Sequence, residues 1–202
     1  MDLQTIKDQI PYYLTKPAAE GLLRELENYN AKTDFYTSRH PDEFLQGDGW
    51  RGFEIYDFTS KQGRTVRGIV LSNSCDISPE NKRDIPAKVS FVPIIKLDKI
   101  KKIFQQSGLD QKSIDSKVQA IREQKNTSFF FLPAQGTVPD EYVAWLSDVH
   151  SMPTSVFLEG QERSKLFTLN LTGFYLFLLK LSIHFCRFHE NVDRSAMEVT
   201  QH

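Results

Sequence analysis

Cysteine is scarce in this chain: there are two, Cys75 and Cys186, in 202 residues. Two cysteines so far apart do not form a disulfide framework, so the core must hold the fold, and a reduced, cytoplasmic setting is expected. Neither sign of charge is in excess, with 25 Lys and Arg against 26 Asp and Glu. That balance excludes a uniformly basic nucleic-acid binder and leaves room only for a local basic groove. Long apolar runs are also lacking. The longest, Phe174 to Ile183, is interrupted by Lys180 and falls short of the roughly 20 residues that a membrane helix needs. No charged region followed by an apolar one opens the chain. Met1-Asp2-Leu3-Gln4 begins a polar, helix-like pattern instead, so neither a secretory leader nor a membrane partner is expected.

What the chain does have is 40% apolar and 12% aromatic content, enough for one good core and hence a single domain over residues 1–202. Turn signals and β-type residues alternate at strand spacing from Gln46 to Leu97. Trp50 to Thr59, Val66 to Asn73 and Lys88 to Ile95 read as strands, joined by a turn at Lys61-Gln62-Gly63-Arg64 and a polar loop from Ser74 to Pro86. Such a meander needs further strands or a covering helix to be stable. The predicted class is α+β: a small, strongly bent SH3-like partial β-barrel with N-terminal helices, an inserted helical segment and a long buried C-terminal helix.

The order of motifs within Gln46–Leu97 resembles the PemK/MazF family of toxin endoribonucleases. Gln46-Gly47-Asp48 stands where that family has Arg-Gly-Asp. Arg67-Gly68 stands where it has Arg-Pro, leading into an apolar strand that ends at Ser72-Asn73, and Val92-Pro93-Ile94 corresponds to its Val-Pro-Ile-Thr strand. The resemblance covers about fifty residues. It implies an SH3-like barrel that cuts single-stranded RNA without a metal or cofactor, countered by an antitoxin. It places the family's catalytic Arg on Arg67 and its catalytic Thr on Ile95, which neither donates nor accepts a proton.

The residues themselves suggest where chemistry gathers. Arg67, followed by a glycine that allows close approach, suits a phosphate. The run Ser72-Asn73-Ser74-Cys75-Asp76 is suited to bonding its own loop backbone. Cys75 and Asp76 also offer a thiol nucleophile and a carboxylate base. Asp48 precedes the first strand, where a barrel mouth is expected. His184, Arg187, Asn191 and Arg194 fall at spacings that share one helical face, and His184 is the candidate to supply a proton-transfer group beside Asp76 or Cys75. The candidate catalytic set is thus Arg67, Asp76, Cys75 and His184. Asp48, Ser72, Asn73, Arg187 and Arg194 are the candidate substrate contacts. No metal site is expected, because His184, Cys186 and His189 do not converge.

The rest of the chain reads as support. Leu3, Ile6 and Ile10, then Leu22, Leu23, Leu26 and Tyr29, predict short helices in a segment spanning residues 1–40. Barrel strands are expected over 45–97 and 128–160. Between them, Ile100, Ile103, Phe104 and then Ile114, Val118 and Ile121 predict two helices over 98–125, broken at Ser107-Gly108 and carrying a lysine-rich face. Phe129 to Leu132 and Tyr142 to Val149 read as strands, and Val156 to Leu158 as a short edge strand. His150, next to Asp148, is the best placed loop histidine. A helix over 168–190 is apolar on most sides, which predicts burial and a homodimer contact. Three functions remain open: a toxin-type endoribonuclease; an inactive barrel that binds nucleic acid or a protein partner in a toxin-antitoxin or phage-defence setting; and a cysteine hydrolase using Cys75.

Overall fold

The computed structural model describes residues 33–81 and 83–185. The N-terminal helices expected before residue 33 lie outside that range, as do Cys186, Arg187 and Arg194. The described chain is α+β. In order, its elements are β1 (Tyr36–Thr37), β2 (Gly49–Asp57), β3 (Gln62–Val70), α1 (Ser74–Ile77), β4 (Lys88–Lys96), α2 (Leu97–Gln106), α3 (Gln111–Arg122), β5 (Phe129–Leu132), β6 (Tyr142–Trp145), β7 (His150–Pro153), α4 (Thr154–Glu159), β8 (Ser164–Leu169) and α5 (Leu171–Phe185). The eight strands form one open antiparallel sheet in the order β1-β8-β2-β3-β4-β6-β5, with β7 paired to the first half of β4.

Alternation within the strands sets the layers. Ile69, Val92, Ile94, Phe130, Leu132 and Phe167 point to one face, where Leu176 and Phe177 of α5 cover them. On the other face, Phe53, Val70 and Phe91 pack with Met152 of β7 and Phe157 of α4. Phe53 is stacked between Phe91 and Phe157, with ring centroids 4.1 and 4.4 Å away. Further along that face, Ile95, Phe131 and Val143 meet Leu97, Ile100, Ile114, Val118 and Ile121 of α2 and α3. Each fully buried side chain of this size contributes about 1.5–3 kcal/mol. Helical spacing in the 98–125 segment therefore marked the residues that cover this half of the sheet.

Three expectations need correction and a fourth is narrowed. Ser74–Ile77 is a helical turn rather than loop, because Asn73 Oδ1 accepts from Cys75 N and caps it. Tyr142–Val149 is not one strand: β6 ends at Trp145, and β7 starts at His150. Val156–Leu158 is helical, entered through Pro153, whose fixed φ suits a helix start. Three consecutive phenylalanines need cover on both faces, which is expected from a central place in the sheet or from the last helix; β5 lies at the end of the strand order, and its aromatics are covered by α3 on one side and α5 on the other.

Both ends of the strand order are finished by glutamine side chains. Gln124, the left-handed residue after α3 (φ 57°), donates from its amide to Phe131 O (2.8 Å) and accepts from Phe131 N (3.1 Å) on β5. Gln135 clasps the chain entering β1 in the same way, to Thr33 O (2.8 Å) and Phe35 N (3.1 Å), and Tyr36 Oη donates to Pro133 O. The sheet thus curls until its two margins are joined by side chains, and an edge that would otherwise recruit another strand is satisfied internally. Among the described residues no helix is long and apolar enough to cross a membrane.

Candidate functional site

The polar run after β3 serves mainly to bond backbone. Ser72 Oγ accepts from Ser90 N (2.8 Å), Ser74 Oγ accepts from Gln46 N (2.9 Å), and Asn73 caps α1. These bonds fasten the segment before β2 to the end of β3 and to β4. Cys75 and Asp76 are exposed on α1. The Cys75 carbonyl accepts from Asn81 Nδ2 (2.7 Å) and from Arg83.

His184 stands elsewhere. Its Nδ1 is 3.0 Å from Thr127 O in the connection between α3 and β5. Ser74 of α1 borders a cavity with Leu171 and Phe174 at the start of α5, and His184 lies about 20 Å further along that helix at about 1.5 Å per residue. The expected meeting of His184 with Cys75 or Asp76 is therefore absent. His150 is paired with Asp148 at 2.8 Å and stacked on Phe91.

Asp48 does not open onto a mouth. It is fully buried, accepts from Leu45 N, and forms an ion pair with Lys165 at 2.9 Å. Lys165 Nζ also donates to His40 O and Glu43 O. Burial pushes the Asp48 carboxyl above its ordinary range, and the bond to Lys165 opposes that shift. The pair locks the loop before β2.

Arg67 is different. It lies within β3, directly opposite Arg51 of β2 in the antiparallel register. Register and alternation place both side chains on the α5 side of the sheet, beyond the reach of the helix. There they line an open groove of about 510 Å³ with Thr65, Glu162 and Ser164. Among the described residues neither guanidinium has an ion-pair partner, although like charges placed directly opposite each other across strands cost stability.

Arg67 is aimed by its surroundings. Its Nη1 donates to Tyr142 Oη at 3.1 Å, and its guanidinium carbon lies 5.7 Å from the Tyr142 ring centroid. Tyr142 Oη donates to Asp140 at 3.3 Å, and Asp140 pairs with Lys96 at 2.5 Å. The bond to Lys96 holds the Asp140 carboxyl below its usual range, so that carboxylate is ionised and already engaged. Among the described residues, what remains is two guanidiniums beside Glu162 with donors for an oxyanion that binds through two oxygens.

Ile95, the counterpart of the resembled family's Thr, points to the opposite face and packs under α2 and α3. Among the described residues no group of three His, Cys, Asp or Glu is placed to hold a metal ion. Sequence reasoning found Arg67 but not Arg51 or Tyr142. The alternation of exposed and buried residues in β2 was the available signal for Arg51, whereas Tyr142, 75 positions from Arg67, left none. Comparison with protein-family models and with curated proteins finds no match to this chain.

Proposed function

We propose that the chain is a nucleic-acid-binding module built on a PemK/MazF-like, SH3-like barrel, in which Arg51 and Arg67 hold the phosphates of a single-stranded RNA. The observation that carries this reading is the cross-strand arginine pair, Arg51 exposed and Arg67 half-buried, lining one groove with no ion pair to either guanidinium among the described residues. A phosphodiester offers two unbridged oxygens in the geometry a guanidinium fork prefers, and it relieves the repulsion between the two cations. Each phosphate neutralised on a single strand contributes about −0.7 to the slope of log affinity against log salt. Fluorescence anisotropy with a labelled single-stranded RNA should therefore show that the Arg51→Ala/Arg67→Ala double variant binds more weakly and with a slope flatter by about 1.4. Unchanged affinity and slope would overturn the proposal.

A second reading, a metal-independent endoribonuclease, is favoured by one contact: Arg67 touches a phenolic hydroxyl that is held to Asp140. In that reading Arg67 stabilises charge on the phosphoryl oxygens. Growth arrest on induction, relieved by Arg67→Ala, would support it; harmless expression would leave the binding module. Cys75 has no histidine or carboxylate contact among the described residues, so the hydrolase reading is not carried further.

A further inference from the structure

We infer that the solvent face of the β2–β3 hairpin continues the arginine site as a base-stacking platform, with Tyr56 and Phe58 at its tip receiving an unpaired nucleobase. The inference rests on the phosphate reading of Arg51 and Arg67.

Register puts the parts on one side. Along β3, Arg67, Thr65 and Gly63 alternate onto the same face, and their partners on β2 are Arg51, Glu54 and Tyr56. The bulge at Gly52, where φ is 97°, keeps Glu54 and Tyr56 on the face of Arg51 despite the extra residue. The reverse face of this hairpin carries Phe53 and Ile55 into the core. The hairpin therefore presents one packed face and one free face.

The free face ends in exposed aromatic surface. Tyr56 is 51% and Phe58 85% exposed, and their rings meet edge to face at 5.1 Å. The turn is built to project them: Asp57 Oδ1 accepts from Thr59 N and Ser60 N, and Lys61 takes φ 55° to close the hairpin. Opposite Tyr56 is Gly63, where an added Cβ would meet nothing within 4 Å. A flat ligand can therefore lie against the Tyr56 ring without displacing a side chain.

Gly63 and Arg67 are four residues apart, or about 13 Å at about 3.3 Å per residue. A free phosphate or a compact anion would occupy the arginines alone, whereas a polynucleotide a few residues long reaches the aromatics as well. Glu54 lies between the two ends, and its carboxylate repels a phosphate placed midway. It accepts from exocyclic amino groups instead, so the backbone is kept to the arginine end and bases lie toward the tip. Bases stacked inside a duplex cannot make this contact, so the ligand class is single-stranded nucleic acid.

The test compares three labelled probes by anisotropy with the full chain: a ten-nucleotide oligouridylate, an abasic strand of equal length and charge, and a ten-base-pair duplex. The oligouridylate should bind more tightly than either of the others. Tyr56→Ala/Phe58→Ala, which removes only exposed side chains, should raise Kd for the oligouridylate by about 5- to 100-fold and leave the abasic strand unaffected. Arg67→Ala should weaken both strands. If the aromatic variant binds the oligouridylate as tightly as the parent, the stacking inference fails while the phosphate reading stands. The same holds if that variant instead loses self-association by light scattering, which would assign the patch to a protein contact. If the parent binds none of the probes, the phosphate reading fails and takes this inference with it.

Discussion

Lys180→Met should alter the way stability depends on pH. Lys180 lies mid-helix in α5, is 2% exposed, and has no carboxylate beside it among the described residues. Its Nζ donates to Gln124 O at 2.8 Å and to Asn126 O at 2.5 Å. Burial lowers its pKa from 10.5 to about 8. Loss of the proton leaves two N–H groups for two carbonyls, so neither bond need break. Because the folded lysine releases its proton at lower pH than the unfolded one, the unfolded chain binds more protons between about pH 8 and 10.5. Stability from this group therefore rises with pH through that window: it is complete above the unfolded pKa and lost as pH falls through the folded one. At about 1.36 kcal/mol per unit, the contribution is about 3 kcal/mol. Urea unfolding of parent and variant, followed by tryptophan fluorescence at steps from pH 7 to 10.5, isolates it, since all other titrations cancel in the difference. The parent should gain about 3 kcal/mol over the methionine variant across the series. Parallel curves, or a difference that moves the other way, would refute the argument that burial dominates the ammonium.

Two further outcomes follow from buried polar contacts. Lys165→Met removes the cation paired with buried Asp48 and should cost about 3–5 kcal/mol in thermal unfolding. Adding Asp48→Asn should recover part of that loss, and a cost under about 1 kcal/mol would show that the pair does not lock the loop. Gln124→Ala strips Phe131 of both backbone partners and should cost about 1–3 kcal/mol. Hydrogen exchange should show the Phe131 amide losing protection ahead of the rest of β5, and unchanged protection would contradict the clasp.

Local signals made half of this architecture legible. Ile100, Ile114, Val118 and Ile121 at helical spacing, with the Ser107-Gly108 break, marked α2 and α3. The Phe129–Leu132 run marked β5, and a hairpin was legible between β2 and β3, although the turn expected at Lys61-Gln62-Gly63-Arg64 falls earlier, at residues 58–61, and Gln62 to Arg64 belong to β3. β8 (Ser164–Leu169) has no strand signal of its own beyond a short alternation: its last two residues fall in the helix expected over 168–190, and its first four lie between the expected elements. α4 was misread because Val156 and Phe157 favour strands in isolation, whereas packing of Phe157 between Phe44 and Phe53 decided the outcome. In the candidate site, Arg67 was accessible through its neighbours in sequence. Arg51 required the register across a bulge, and Tyr142 and Lys165 required tertiary contacts with no sequence signature. Spacing grouped His184 with Arg187, Asn191 and Arg194, which lie outside the described residues, whereas His184 itself meets Thr127 O in the connection after α3.

Where Gln135 and Tyr36 bridge its margins, the sheet is shut by side chains rather than by a ladder. A ladder would commit both margins to one alignment, and every insertion near it would have to preserve that alignment. Side-chain clasps make no such demand, so the connection that carries them is free to lengthen or shorten while the remaining strands keep their partners. Few hydrogen bonds hold the two margins together, so this is where the fold is most easily remodelled.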